Sequence, residues 1–310
     1  MRITQYMPVL IAYQGEPQSY SHQAIEAFGK FHGVEFSSIP ARDFPALFEH
    51  IMGETGLGIV PIENSAGGIV ASMDILLSQD VRIIGEIYIP IRHYALGFND
   101  PTGASLEGKI VHSHPQALTQ CQRFIRRKGL LAKVEDDTAG SARLVSELSG
   151  EERYRHIAIA SELAAGQYGL DVIEANIQDH RRNTTRFLIV RPRGGKTEFE
   201  DNLVVEEKYK ATFAYTIDPS ELYRVLVIVH QQGLKTYTVH NRAAAEQEGS
   251  DRIFNRMFFQ DIGVPIGKEA NFKAVSALLF GEFGVFCGDR NQIKFLGYYP
   301  KAEIDMSQYE

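Results

Sequence analysis

Through the first half of the chain a short apolar run gives way to a loop holding Ser, Thr or Asn, and then to residues with helical spacing. Val9–Tyr13 leads into Gln14–Ser21 and a helix to about Phe28, with Gly29 placed to end it. Leu57–Ile62 leads into Glu63-Asn64-Ser65. Lys109–His112 leads into Ser113-His114-Pro115 and a helix to Lys128, followed by Gly129. Val134–Asp137 leads into Thr138 and a further helix, and His156–Ala160 into Ser161 and Glu162–Gly169. Strands alternating with helices predict βαβ units, a mostly parallel sheet, and ligand sites at the carboxyl ends of its strands.

Around Arg191–Lys210 the pattern breaks. Pro192, Gly194 and Gly195 precede a charged stretch ending in Glu206-Glu207-Lys208, which reads as a linker over 196–209. A different rhythm follows: strand Ala211–Ile217, helix Ser220–Gln232, strand Lys235–His240, a polar excursion Ala243–Ser250, strand Arg256–Asp261, helix Lys268–Phe280 and strand Gln292–Tyr298. The order βαββαβ over 210–302 predicts an α+β ferredoxin-like domain behind the α/β half. Residues 303–310 read as a polar tail.

Composition narrows the function classes. The 310 residues are 44% hydrophobic and 23% charged, with a net charge of −7, which suits a two-domain globular chain and disfavours an extended nucleic-acid surface. No apolar run is long enough to span a membrane, and the first residues lack the pattern of a secretory signal. Cys121 and Cys287 offer neither a disulfide framework nor a zinc cluster. A cytoplasmic setting without a metal is the expectation.

Candidate chemistry begins with hydroxyls where a strand meets a helix: Ser21, Ser65, Ser113, Thr138 and Ser161. Helix N-termini carry unpaired N–H groups and partial positive charge, so several converging on one cleft favour an anionic ligand. For any one of them simple capping is the better explanation, by about two to one. Gly58–Ser65 puts Glu63, Asn64 and Ser65 directly after a buried strand, and Asn183–Val190 puts Thr185 and Arg186 at the start of another. By pattern alone, Arg186 reads as a surface salt-bridge partner and Thr185 as an ordinary strand residue.

Val60-Pro61-Ile62-Glu63-Asn64-Ser65 and Thr185-Arg186-Phe187 resemble the two signature motifs of prephenate dehydratases. The resemblance continues in order through Ala12–Pro17 with Tyr20-Ser21, Gly85-Glu86 with His93, and Ser113–Leu118 with Gln120-Cys121. Asp137–Ala142 follows, then Ala158–Ser161 with Tyr168–Leu170 and Ile177–Asp179. It implies a catalytic domain over 1–195 with two α/β lobes like those of type II periplasmic binding proteins, one from 1–88 with 178–195 and the other from 89–177. It also implies that 210–302 is an ACT regulatory domain, that the chain is a homodimer or homotetramer, and that no cofactor is needed.

The implied reaction is the decarboxylating dehydration of prephenate to phenylpyruvate, with Thr185 assisting the departing hydroxyl. Arg186 either pairs with a substrate carboxylate or holds the strand, and Phe187 packs beneath it. Asn64, Ser65, Ser21, Ser113, Thr138 and Ser161 are the candidate substrate contacts, with Glu63 as a hinge or supporting group. His114 reads as a structural loop residue. The sequence departs from the family pattern at Gln18, usually glycine, and at His22, commonly acidic. Ser72 stands in place of a threonine, in a stretch one residue short. In the small domain, Ser220, Glu221 and Leu222 with His240, Asn241 and Arg242 occupy the usual effector motifs in altered form, which predicts weakened control by phenylalanine or another amino acid. Arogenate dehydratase, a non-aromatising prephenate decarboxylase and a non-catalytic sensing protein on the same scaffold are the rival readings.

Overall fold

The structure, a computed structural model, describes residues 8–197, 199–205, 208–243, 256–286 and 293–309. The chain forms two compact units: Met1–Ile75 with Ile87–Ile189 and Glu303–Glu310, and Leu76–Glu86 with Val190–Ala302.

The elements of the first half are β1 (Val9–Gln14), α1 (Tyr20–His32), β2 (Phe36–Ala41), α2 (Phe44–Met52), β3 (Gly58–Asn64), β4 (Gly68–Ile69), α3 (Ser72–Ser78) and β5 (Val81–Pro90). There follow β6 (Tyr94–Gly97), β7 (Ile110–Ser113), α4 (Pro115–Gln120), α5 (Gln122–Lys128), β8 (Leu131–Val134), α6 (Thr138–Ser146), β9 (His156–Ala160), α7 (Glu162–Tyr168), β10 (Asp171–Glu174) and β11 (Thr184–Pro192). Two sheets result. The first runs β2-β1-β3-β11-β5 with β4 beside β3, and the second runs β10-β6-β9-β7-β8. These are the cores of two α/β lobes.

Period-2 burial explains why the second sheet reads as apolar throughout. Ile157 and Ile159 on β9 pack with Val111, Leu118 and Phe124 on one face. Ala158 and Ala160 pack with Leu96, Val145 and Ala164 on the other. A strand covered on both faces has no polar positions to alternate with. Each large aliphatic or aromatic side chain buried in this way stabilises the fold by about 1.5–3 kcal/mol. The expectation of mostly parallel sheets needs correcting. β1 is parallel to β2 and β3, and β7 to β8 and β9, but β6 and β10 are antiparallel to their neighbours. Apolar pattern reports which faces are buried and carries no information on direction.

Helix α1 also outruns its expected end. Gly29 lies inside it, where a Cβ would meet Val34 O at 2.5 Å, and Gly33 at φ +70° ends the helix. Gly29 is there for close approach, and Gly33 for the left-handed turn. At the far end, Gly129 caps α5 in the expected way, although Cys121 interrupts the expected single helix into α4 and α5.

On the second lobe His112 and His156 meet, Nε2 to Nδ1, at 2.7 Å. Their outer nitrogens reach Glu135 at 2.8 Å and Glu152 at 2.9 Å.

The second unit contains β12 (Lys208–Thr216), α8 (Leu222–Gln231), β13 (Lys235–Ala243), β14 (Arg256–Pro265), α9 (Glu269–Phe286) and β15 (Ile293–Pro300). Its antiparallel order β13-β14-β12-β15 with two helices is ferredoxin-like. Phe213, Tyr215 and Phe258 form its core with Val225 and Val229 of α8 and Val275 and Leu279 of α9. Helix α8 starts at Leu222, after a 3-10 turn over Pro219–Glu221. Leu76–Glu86, which precedes the small domain by more than a hundred positions in the chain, belongs to this unit. Lys294 Nζ donates to Leu77 O at 3.0 Å, and Lys210 Nζ reaches Glu86 at 2.8 Å with both side chains buried. The stretch read as a linker is anchored: Arg191 and Glu200 form an ion pair, and Phe199 is buried. Glu206, Glu207 and 244–250 of the polar excursion lie outside the described residues. Among the described residues, no helix is long and apolar enough to cross a membrane.

Candidate active site

Residues of both lobes line a cleft of ≈ 720 Å³, within the range usual for small-molecule sites. Four helices begin at it, and the N-cap of each lines it: Ser19 for α1, Asp43 for α2, His114 for α4 and Asp137 for α6. Asp43 Oδ1 accepts from Ala46 N at 2.8 Å and Asp137 Oδ1 from Gly140 N at 2.7 Å. The carboxylates of Asp43 and Asp137 offset the positive ends of α2 and α6, and the ends of α1 and α4, under the uncharged caps Ser19 and His114, are the ones that favour an anion there.

The floor is uncharged and tightly hydrogen-bonded. β3 ends in Asn64, and β11 opens just after Asn183. Asn64 Nδ2 donates to Asn183 Oδ1 at 2.8 Å and to Thr185 Oγ1 at 2.9 Å. Asn183 Nδ2 donates to Gln120 Oε1 at 2.8 Å, and Gln120 Nε2 donates to Asn64 Oδ1 at 3.1 Å. Ala66 N and Gly67 N also donate to Asn64 Oδ1, at 2.9 and 2.7 Å. Three side-chain amides thus close a ring, and the Thr185 hydroxyl accepts from it. Next to the ring, burial pushes His93 down to about 4 against its hydrogen bond with Gln120, and raises the Tyr20 hydroxyl well above 10. Burial lowers His114 as well, against the pull of Asp137 and Asp136. Both histidines are neutral near pH 7.

Residues 11–194 match the family profile described as prephenate dehydratase. The chain belongs to the prephenate dehydratase family. It is 31% identical over 299 residues to the bifunctional chorismate mutase/prephenate dehydratase of Aquifex aeolicus, covering 95% of this chain and 74% of that protein. It is 30% identical over 305 residues to arogenate dehydratase/prephenate dehydratase 2 of Arabidopsis thaliana, covering 94% and 73%. The crystal structure of an Arthrobacter aurescens prephenate dehydratase in complex with L-Phe shares the fold, with a TM-score of 0.71 at 23% identity over 95% of this chain and 90% of that one.

Of the prephenate dehydratase site residues expected from sequence, Thr185, Phe187, Asn64, Ser21 and Thr138 line the cleft. Ser21 and Thr138 fall one or two residues past the N-caps, so their hydroxyls cap nothing. The others are placed differently. Ser65 Oγ donates to Arg182 O at 2.8 Å and accepts from Thr184 N at 2.9 Å, tying β3 to β11. Ser113 Oγ donates to Ile159 O at 2.7 Å, between strands. Ser161 caps α7 and donates to Gln18 O at 3.0 Å. Glu63 lies opposite Ile69 of β4, off the lining. Arg186 is 2% exposed and sits between two cleft-facing neighbours on β11, so alternation turns it to the other face. That corrects the surface reading.

The residues sequence reasoning passed over are Gln120, Asn183, His93 and Tyr20, all at or beside the ring. Gln120, His93 and Tyr20 stood in family motifs without an assigned role. Their burial, 7% exposed for Gln120 and 1% for Asn183, becomes visible only in the fold.

The departures at positions 18 and 22 are partners. Gln18 adopts φ +66°, the region that favours the family's glycine, and its N–H donates to His22 Nδ1 at 3.3 Å. Ser72 is fully buried, and its hydroxyl donates to Pro61 O. In the second unit, Ser220 donates twice to Asp218, Glu221 pairs with Arg224 at 2.9 Å, and His240, Asn241 and Arg242 lie on β13 opposite Phe259, Phe258 and Met257.

Proposed function

We propose that this cleft carries out the decarboxylating dehydration of prephenate to phenylpyruvate, on the route to phenylalanine. The observation that carries the reading is Thr185 Oγ1 at the cleft wall, accepting from Asn64 so that its own proton is left for the substrate. Prephenate is a dianion. The N-termini of α1 and α4, under the uncharged caps Ser19 and His114, favour its carboxylates, with the hydroxyls of Ser21 and Thr138 as further donors. The carbon–carbon bond to the ring carboxylate breaks and releases CO₂. Its electron pair completes the aromatic ring as the opposite carbon–oxygen bond breaks and hydroxide leaves. Aromaticity supplies the driving force, so the protein binds, aligns and stabilises the departing oxygen. Thr185 donates to that oxygen as charge develops on it; an alcohol is too weak an acid to do more.

The rest of the reading follows the family. The second unit is an ACT-type domain whose altered motifs at 220–222 and 240–242 weaken control by phenylalanine, and the chain works as a cytoplasmic homodimer or homotetramer. The test is to incubate pure protein with prephenate and follow phenylpyruvate by its absorbance in base. Thr185→Val should keep the fold and lower kcat by about two orders of magnitude, the scale of a lost transition-state donor. Near-normal turnover by that variant would remove Thr185 from the reaction. Phenylalanine formed from arogenate, with no phenylpyruvate formed from prephenate, would move the assignment to the aminated substrate.

A further inference from the structure

A ring of three amides has two senses, because turning all three over reverses every donor and acceptor. The sense decides what Thr185 has to offer. In the observed sense Asn64 presents NH₂ to Thr185, whose oxygen accepts and whose proton is left over. In the reverse sense Asn64 presents its carbonyl, the Thr185 proton is drawn to it, and the cleft loses its donor.

Two groups outside the ring fix the sense. The first is the backbone: Ala66 N and Gly67 N can only donate, which holds Asn64 Oδ1 towards them. The second is His93, whose Nε2 lies 2.9 Å from Gln120 Oε1, while that backbone holds Asn64. Gln120 Oε1 already accepts from Asn183 and cannot donate, so His93 Nε2 carries the hydrogen. The other nitrogen, Nδ1, lies 3.4 Å from the Tyr20 hydroxyl, whose single hydrogen is donated to Arg92 O. The ring is buried, and its backbone is pinned by Gln178 Oε1 at 2.9 Å from His93 N.

We infer that His93 is a positioning residue: as a neutral Nε2–H tautomer, it holds the Asn64–Asn183–Gln120 ring in the sense that leaves the Thr185 proton facing the substrate. It acts through Gln120 and Asn64 and does not touch the reacting atoms. A histidine protonated at Nδ1 alone would turn a lone pair on Gln120, draw its NH₂ around and oppose the backbone. This inference rests on the prephenate reading for its kinetic part and on the fold alone for its tautomer part.

The experiment has two arms. Nitrogen-15 NMR of the wild-type protein reads the His93 tautomer without substrate; Nε2 protonated and Nδ1 bare between about pH 6 and 8 is expected, and protonation at Nδ1 alone overturns the inference. In the second arm, once wild-type turnover of prephenate is measured, His93→Leu removes the donor and His93→Gln restores one. Expected are a kcat about tenfold lower for His93→Leu with KM little changed, and recovery of most of the loss by His93→Gln. Equal impairment in the two variants, or a His93→Leu kcat within about twofold of wild type, overturns the inference even if the protein is a good prephenate dehydratase. Absence of wild-type turnover would instead defeat the prephenate reading and leave the tautomer arm standing.

Discussion

Two hydrogen-bonded clusters in the same α/β unit solve opposite problems. The ring of Asn64, Asn183 and Gln120 is made of groups that neither gain nor lose a proton at any pH the fold tolerates. The chain Glu135–His112–His156–Glu152 is made wholly of groups that do. Its three contacts at 2.8, 2.7 and 2.9 Å require three hydrogens, and two neutral imidazoles hold only two. The chain is complete only with one extra proton. Burial disfavours that proton on His112, with Lys133 adding to the effect and Glu135 opposing it. The His156 hydrogen bond holds the Glu152 carboxyl low. The cleft lies against the first cluster. An active site that must orient a weak donor gains from groups whose hydrogens stay put as pH changes.

The largest effect expected from this contrast is on stability at acid pH. His93 titrates at about 4 in the folded protein, below the roughly 6.5 of an exposed histidine. The unfolded chain therefore binds the proton first. This contribution is fully present above about pH 6.5 and is lost as pH falls towards 4, by up to about 1.4 kcal/mol per pH unit from this group. Urea melts between pH 7 and 4.5 should show the decline, while kcat per folded molecule stays flat because the amide ring does not titrate. A kcat that falls along with stability would break the contrast.

Next in size, Asn183→Leu removes a donor and an acceptor from the ring, leaving Asn64 and Gln120 each short of a partner. A loss of about 1–3 kcal/mol in stability is expected, with a kcat penalty approaching that of Thr185→Val. Ser161→Ala should cost about 1 kcal/mol as a lost helix cap and leave kcat unchanged, since its hydroxyl faces Gln18 and the helix; a raised KM would return Ser161 to the substrate contacts. Smallest of all, His156→Gln should leave kcat within about twofold, because the titrating chain does not line the cleft. A kcat loss as large as that of Thr185→Val would make the second cluster part of the machinery.

Much of this architecture is written in local pattern. Apolar runs such as Ile157–Ala160 identify buried strands, and the βαββαβ rhythm after Lys208 identifies the small domain. Strand direction is not written there, which is why β6 and β10 came out antiparallel. The junction hydroxyls show the same limit at the site. Ser21, Ser65, Ser113, Thr138 and Ser161 look alike in sequence, yet two face the cleft, two tie strands and one caps a helix. What separates Ser21 and Thr138 from Ser161 is the position of the N-cap, which moves by one or two residues without altering the pattern, and Ser65 and Ser113 are set apart by neighbouring strands distant in sequence. The amide ring was harder still, because it joins residue 64 to residue 183 across 119 positions, and no local window contains both. Motif resemblance reached Asn64 and Thr185 without showing that they touch.

The pairing of Lys210 with Glu86 bears on how this protein would be dissected. Cutting after residue 195 to isolate the part that does chemistry would keep β5 beside β11 but strip the 76–86 stretch of the residues of its own compact unit. Glu86, seated with essentially no access to water in the whole chain, would lose its ion pair with Lys210 and the hydrogen bond from Ala302 N. The smaller unit is partly built from sequence belonging to the larger one, so a fragment drawn along the linear boundary inherits a broken edge. A shortened form that misbehaves would report on that edge before it reported on regulation.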